Sequence, residues 1–304
     1  SYCLVLANAS GVRGKVLAMF IALYLSFYVV DYYYRAPEFW YAVNNTDDND
    51  DVDTYLKLSP QGLQKQFDIS HQQREDLEAE RQGVIDLYGI SFAPYSAEVF
   101  LNESMMVEQV MKSRFDMNGH WQTLINQPTT LETKPWASAE NLEHAIIAAG
   151  KKMNRDEDIL FIYLTSHGGK DANLSASLWP LELDEITPYN LNLWLEKANI
   201  KYRVIVVSAC YSGSWIKPLQ NDNTLILTAA DATHTSYGCG KNSELTYFGR
   251  ALIDEQLKLT HSFEKAFKAA VPIIKQREID GEKEDGFSNP QMSMGNAIKP
   301  VLTK

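Results

Sequence analysis

From residue 84 onward, the hydrophobic and polar positions of this chain alternate between two spacings. Runs with hardly a polar residue, Ile159-Leu160-Phe161-Ile162-Tyr163-Leu164 and Val204-Ile205-Val206-Val207, have the composition of strands buried on both faces of a parallel sheet. Between such runs, apolar residues recur three and four positions apart, as on one face of a helix. The pattern predicts a strand over 84–92, a helix over 103–115 with Met106, Val107, Val110 and Met111 on one side, and a short strand over 121–125. A helix capped by Ser138 follows, with Leu142, Ala145, Ile146 and Ala149 recurring before Gly150. Next come the strand that leads to His167, a helix opened by Thr187-Pro188, the strand that leads to Cys210, and an apolar run over 224–230. Helices over 248–257 and 262–279 close the domain. Strands and helices taking turns demand an α/β sandwich: a mostly parallel central sheet with helices on both faces.

Before residue 84 the pattern differs. Residues 16–30 form a run dominated by apolar side chains, with Arg13 and Lys15 ahead of it and Tyr32-Tyr33-Tyr34 behind. Fifteen residues at about 1.5 Å rise span roughly 22 Å, and the tyrosines extend this towards the roughly 30 Å of a bilayer core. The run predicts an N-terminal transmembrane helix, with a signal-peptide core and a buried helix as alternatives. The positive charges ahead of it orient everything after Arg35 across the membrane, in the periplasm or another extracytoplasmic space. Residues 44–53 are rich in Asn and Asp but lack the glycine and distal Glu of a calcium loop, so they read as a solvated linker. Residues 59–82 predict one or two polar helices. The division is then 1–35, a membrane anchor; 36–82, linker and helical segment; and 83–304, the α/β domain. The chain begins at Ser1, which suggests a processed or truncated product.

Composition narrows the function classes. The 304 residues are 45% hydrophobic and 22% charged, ordinary for a protein with a real core. Net charge is 28 − 39 = −11, and no Lys/Arg cluster offers a nucleic-acid footprint. The three cysteines, Cys3, Cys210 and Cys239, make neither a disulfide framework nor a zinc spacing, and no cofactor is implied.

The chemistry sits at two strand ends. Open α/β sheets place ligands beyond the carboxyl ends of their strands. There the sequence sets His167, followed by Gly168, and Cys210, followed by Tyr211-Ser212-Gly213. If the two strands are neighbours, a thiol nucleophile and an imidazole base come side by side. A helix starting near Ser212 would favour thiolate at Cys210. The N–H groups of Gly168 and Cys210 are candidates for an oxyanion hole, because a glycine lets backbone approach a substrate oxygen. Cys239, between two glycines, reads as structural or loop-lining, with a Cys210–Cys239 redox pair as an alternative, and His120 and His234 as surface or loop residues.

Thr165-Ser166-His167-Gly168 and Ser208-Ala209-Cys210-Tyr211-Ser212-Gly213-Ser214 resemble the His-Gly and Ala-Cys motifs of the legumain (asparaginyl endopeptidase) family of caspase-like cysteine peptidases. The closer resemblance is to its bacterial, membrane-anchored members. Val84-Ile85-Asp86-Leu87-Tyr88, Asn154-Arg155-Asp156-Glu157-Asp158, Thr233-His234-Thr235-Ser236-Tyr237-Gly238-Cys239-Gly240 and Thr246-Tyr247-Phe248-Gly249-Arg250 resemble them as well. The resemblance spans roughly 84–279. It implies a caspase-like three-layer sandwich and a cysteine endopeptidase acting on protein or peptide substrates through His167 and Cys210 and a thioester. Gly168 and Cys210 would serve the oxyanion, with Ser208, Tyr211 and Glu244 as substrate-binding residues. The chain departs from plant and animal legumains at Ser166, where they have Asp, and at Tyr211, where they have Glu. It also lacks Arg or Lys between Phe92 and Met106. Without that cation, Glu244 is expected to be an unbalanced carboxylate that repels Asp before the scissile bond and admits Asn or a basic residue. A transpeptidase with the same dyad and a non-catalytic, membrane-tethered binding module are the alternative functions; oligomeric state is left open.

Overall fold

A computed structural model of the chain describes residues 59–240, 243–283 and 286–303. All of them lie in one unit, Asp53–Lys304. The apolar run over 16–30, and with it the expected membrane helix, lies outside the described residues. Among those described, no helix is long and apolar enough to cross a membrane.

The strands are β1 (Leu87–Ala93), β2 (Trp121–Ile125), β3 (Ile159–Thr165), β4 (Tyr202–Ser208), β5 (Thr224–Thr228) and β6 (Gln291–Met294). They form one sheet in the order β2-β1-β3-β4-β5-β6. The first five are parallel, and β6 runs antiparallel along β5. The helices are α1 (Pro60–Glu75), α2 (Glu98–Arg114), α3 (Ala139–Lys152), α4 (Pro188–Lys197), the short α5 (Ile216–Leu219) and α6 (Tyr247–Gly249). α6 continues into π-helical turns over Arg250–Gln256, and α7 (Phe263–Asp280) follows.

Period-two side chains divide the sheet between two cores. Leu160, Ile162 and Leu164 of β3 join Ile205 and Val207 of β4 in a cluster with Leu142 and Ile146 of α3 and Leu191 and Leu195 of α4. Phe161 and Tyr163 point the other way, with Val204 and Val206, against Val107 and Met111 of α2 and Phe267 and Ile274 of α7. This is why β3 and β4 show no polar alternation: both faces are covered. Fully burying each such side chain contributes about 1.5–3 kcal/mol. Strand propensity spans only about 1 kcal/mol, so burial decides the strands.

Caps set the helix starts. Ser59, Ser138, Thr187 and Ser262 each accept a backbone N–H of the first turn with their hydroxyl oxygen. α2 begins earlier than its periodicity suggests, because Ala97 makes no side-chain cap and the first turn is marked only by Val99 and Phe100, both buried. The first strand begins at Leu87 rather than 84, since Val84 is exposed and Asp86 turns back to accept from the Arg81 N–H and guanidinium. α1 is fastened to the same body: Gln66 donates to the carbonyls of Leu131 and Lys134, and Ser70 donates to Asn141. The expected helix at Ser212 is instead a 3-10 turn, Ser212–Trp215, leading into α5.

Candidate active site

β3 and β4 are adjacent and end level, with Thr165 paired to Ser208. His167 and Cys210 therefore leave the sheet two residues beyond the same rung. The strand order reverses direction beside β1, so this edge is also the switch point where open α/β sheets hold ligands. Gly168 locks the two exits together: a Cβ there would lie 2.1 Å from the Cys210 carbonyl oxygen and 3.2 Å from Ala209 Cβ. Only glycine fits. The N–H groups of Gly168 and Cys210 donate to no backbone carbonyl of another residue among the described ones.

The imidazole of His167 is half-buried and held edge-on by two rings, Tyr95 at 4.6 Å and Phe100 at 5.1 Å between centroids. Burial lowers its pKa, which favours the neutral, proton-accepting form. Among the described residues no hydrogen bond joins His167 to the thiol, and the two rings pack edge-to-face against the imidazole.

Cys210 takes its support from the loop after β5, whose descent brings Ser236 back to the sulfur. The Ser236 N–H donates to Sγ at 3.3 Å, and its hydroxyl lies at 3.8 Å. Cys239 is the largest influence in bringing the Cys210 thiol from 9.0 down to about 6; burial opposes it and Ser236 assists. Cys239 moves the opposite way, upward, through its nearness to Cys210 and its burial. The groups that favour thiolate at Cys210 are therefore Ser236 and Cys239 rather than a helix dipole, since no long helix starts at Ser212. Iodoacetamide labelling of Cys210 against pH should rise through a midpoint near about 6 and fall away below it. A midpoint near that of an ordinary cysteine would show that these contacts do not hold a thiolate.

The expected substrate-binding residues separate. Tyr211 stays at the site, half-buried at φ 55°, with its N–H on the His234 carbonyl and Lys170 Nζ 5.6 Å from its ring centroid. Ser208 is 2% exposed, and its hydroxyl is turned inward onto Thr246 Oγ1 at 3.1 Å, so it is closed to a substrate. Glu244 is exposed but balanced after all: Arg250 of the π-helical turns pairs with it at 2.8 Å. The cation missing after β1 is replaced by one six residues along the same segment, which removes the ground for an unpaired carboxylate. The pair also lines a cavity of about 720 Å³, whose lining includes neither His167 nor Cys210.

Of the two histidines expected at surface or loop positions, His234 lies in a loop as expected and His120 is buried. His120 is stacked on Tyr88 at 4.3 Å. His234 is half-buried, with Nδ1 2.7 Å from Asp231, whose carboxyl is held well below the usual range by hydrogen bonds from Asn289, Thr233 and His234. Sequence reasoning missed the parts played by Ser236, Cys239, Tyr95 and Phe100. The only signal was that Ser236 and Cys239 belong to a motif whose spacing matched a known family; their contact with Cys210 is tertiary.

The sequence profile of the peptidase C13 family matches residues 140–297, just over half of the chain, including both His167 and Cys210. No curated protein matches the sequence. Among solved structures, the crystal structure of caspase-1 from Spodoptera frugiperda is similar at a TM-score of 0.50 and 12% identity, covering 72% of this chain and 88% of that one. A structure described as pro-sf-caspase-1 gives a TM-score of 0.48 and 12% identity over 69% and 87%. At such identity the first of these is a likeness of fold.

Proposed function

The chain belongs to the peptidase C13 (legumain) family of caspase-like cysteine peptidases, and from that premise we propose that it is an endopeptidase working through Cys210, His167 and a thioester. One observation carries the reading: the Cys210 sulfur, met by the Ser236 N–H, stands at the strand end level with that of His167. The Cys210 thiolate attacks the carbonyl carbon of the scissile bond, and the C–O electron pair moves onto oxygen, towards the N–H groups of Gly168 and Cys210. When the tetrahedral intermediate collapses, the C–N bond breaks and His167, which took up the Cys210 thiol proton as the thiolate formed on substrate binding, passes that proton to the departing amine. His167, now neutral, takes a proton from the water that attacks the thioester. The C–S bond breaks, Cys210 leaves as thiolate, and the acid product is released. Tyr211, at the mouth beside the sulfur, is the residue proposed to touch substrate.

A peptide-library digest read by mass spectrometry tests this. The expected result is internal cleavage at defined positions, with water as the acceptor. Ligated products after addition of a peptide amine would instead make the protein a transpeptidase using the same thioester. No cleavage at all by folded protein whose Cys210 labels readily would leave a binding module and sink the peptidase reading.

A further inference from the structure

Glu103 lies in α2, fully buried, beneath the ends of the central strands. Oε1 accepts the hydroxyls of Tyr163 and Thr165, each at 2.8 Å, both from β3. Oε2 accepts the Thr246 N–H at 2.9 Å and the Thr246 hydroxyl at 2.5 Å. Thr246 Oγ1 in turn meets Ser208 Oγ of β4 at 3.1 Å and accepts the Gly249 N–H at 2.9 Å, starting α6. Gly249 packs directly against the carboxylate: a Cβ there would lie 2.3 Å from Oε2. Charge-assisted bonds of this kind are the strong ones, and four on one buried carboxylate satisfy it fully.

The three segments gathered here are those that carry the site. Thr165 precedes His167 by two residues, Ser208 precedes Cys210 by two, and Thr246 ends the loop that bears Ser236 and Cys239. We propose that Glu103 is a positioning residue: its buried carboxylate ties the end of the Ser236 loop to the strand ends of His167 and Cys210, and so keeps the Ser236 N–H on the nucleophilic sulfur. This rests on Cys210 being the nucleophile. It explains a buried charge that takes no part in the chemistry, in a helix that the family match does not cover.

The titratable groups around the sulfur are Cys239 on its loop, His167 after β3 and Glu103 on α2. Beyond them, the Asp231–His234 pair reaches Tyr211 only through the His234 carbonyl, and Lys170 lies over the Tyr211 ring. The test is the pH profile of iodoacetamide labelling at Cys210, mapped by mass spectrometry on the full chain, together with thermal melting. Thr246→Val keeps the shape but removes the hydroxyl links to Glu103 and Ser208; Glu103→Gln keeps the shape and removes the charge. Both should melt as folded proteins, with the labelling midpoint moved up; at pH values well below the midpoint, a shift of one unit lowers the labelling rate about tenfold. Thr246→Ser should restore the original profile. Folded Thr246→Val and Glu103→Gln proteins with the unaltered profile would overturn the proposal. The labelling needs no peptide substrate, so this failure is separate from that of the peptidase reading, which peptide hydrolysis surviving in Cys210→Ala would reveal.

Discussion

Cys210→Ala is expected to abolish peptide hydrolysis while the protein stays folded. The substitution removes one sulfur at a half-buried position and leaves the β3–β4 register untouched. What it deletes is the covalent route itself, and losing the nucleophile of such a system costs on the order of 10⁵-fold or more in turnover. His167→Ala should cost less, about 10²–10⁴-fold, because water can carry protons poorly in its place. Cys239→Ala separates the two thiols. It removes the neighbour that most lowers the Cys210 thiol pKa, so the labelling midpoint moves up and the rate at neutral pH falls, but the reaction persists. Steady-state kinetics on the three variants, with circular dichroism as the control for folding, check this. Activity lost with Cys239 and kept without Cys210 would reverse the roles of the two thiols.

Gly168→Ala should be nearly as damaging without touching a reacting atom. The new methyl would meet a backbone carbonyl oxygen, that of Cys210, at 2.1 Å. A flexible side chain could turn away from such a contact; a backbone at the end of a central strand cannot. Overpacking of this kind costs about 1–3 kcal/mol of stability. The relief must come from moving the exits of β3 and β4 apart, which displaces His167, Cys210 and both N–H groups offered to the oxyanion. Misplacement of about 1 Å costs on the order of 10²-fold in rate. The expected result is therefore a lowered melting temperature and kcat/KM reduced by about 10²-fold. Unaltered kinetics would mean that the two strand ends are not locked at this point.

Much of the fold was legible for one physical reason: a strand covered on both faces has no choice but to be apolar throughout. β3, β4 and β5 announce themselves in this way, and β2 coincides with its expected limits. Side-chain caps at Ser138 and Thr187 marked two helix starts correctly. Where a local signal is weak, the reading slips. α2 starts without a side-chain cap, the turns over Arg250–Gln256 wind as a π-helix, and β6 is a short, half-exposed edge strand whose Gln291-Met292-Ser293-Met294 has no strand signature. Tertiary pairing along β5, not propensity, makes it a strand.

The same division runs through the site. The residues at the ends of two apolar runs were determined by the sequence, since a parallel sheet puts consecutive strand ends on one edge, and so His167, Gly168 and Cys210 could be named in advance. What holds them was decided only by the folded chain. Ser236 lies 26 residues from Cys210 along the chain, and Thr246 lies 143 from Glu103. No periodicity connects positions so far apart. The two substrate-side expectations failed for the same reason: whether Ser208 faces solvent or Thr246, and whether Glu244 stands alone or beside Arg250, depends on how the loop after β5 returns across the sheet edge. Strand and helix positions follow from local burial patterns, whereas the proton on a thiol and the partner of a carboxylate follow from which distant segments meet.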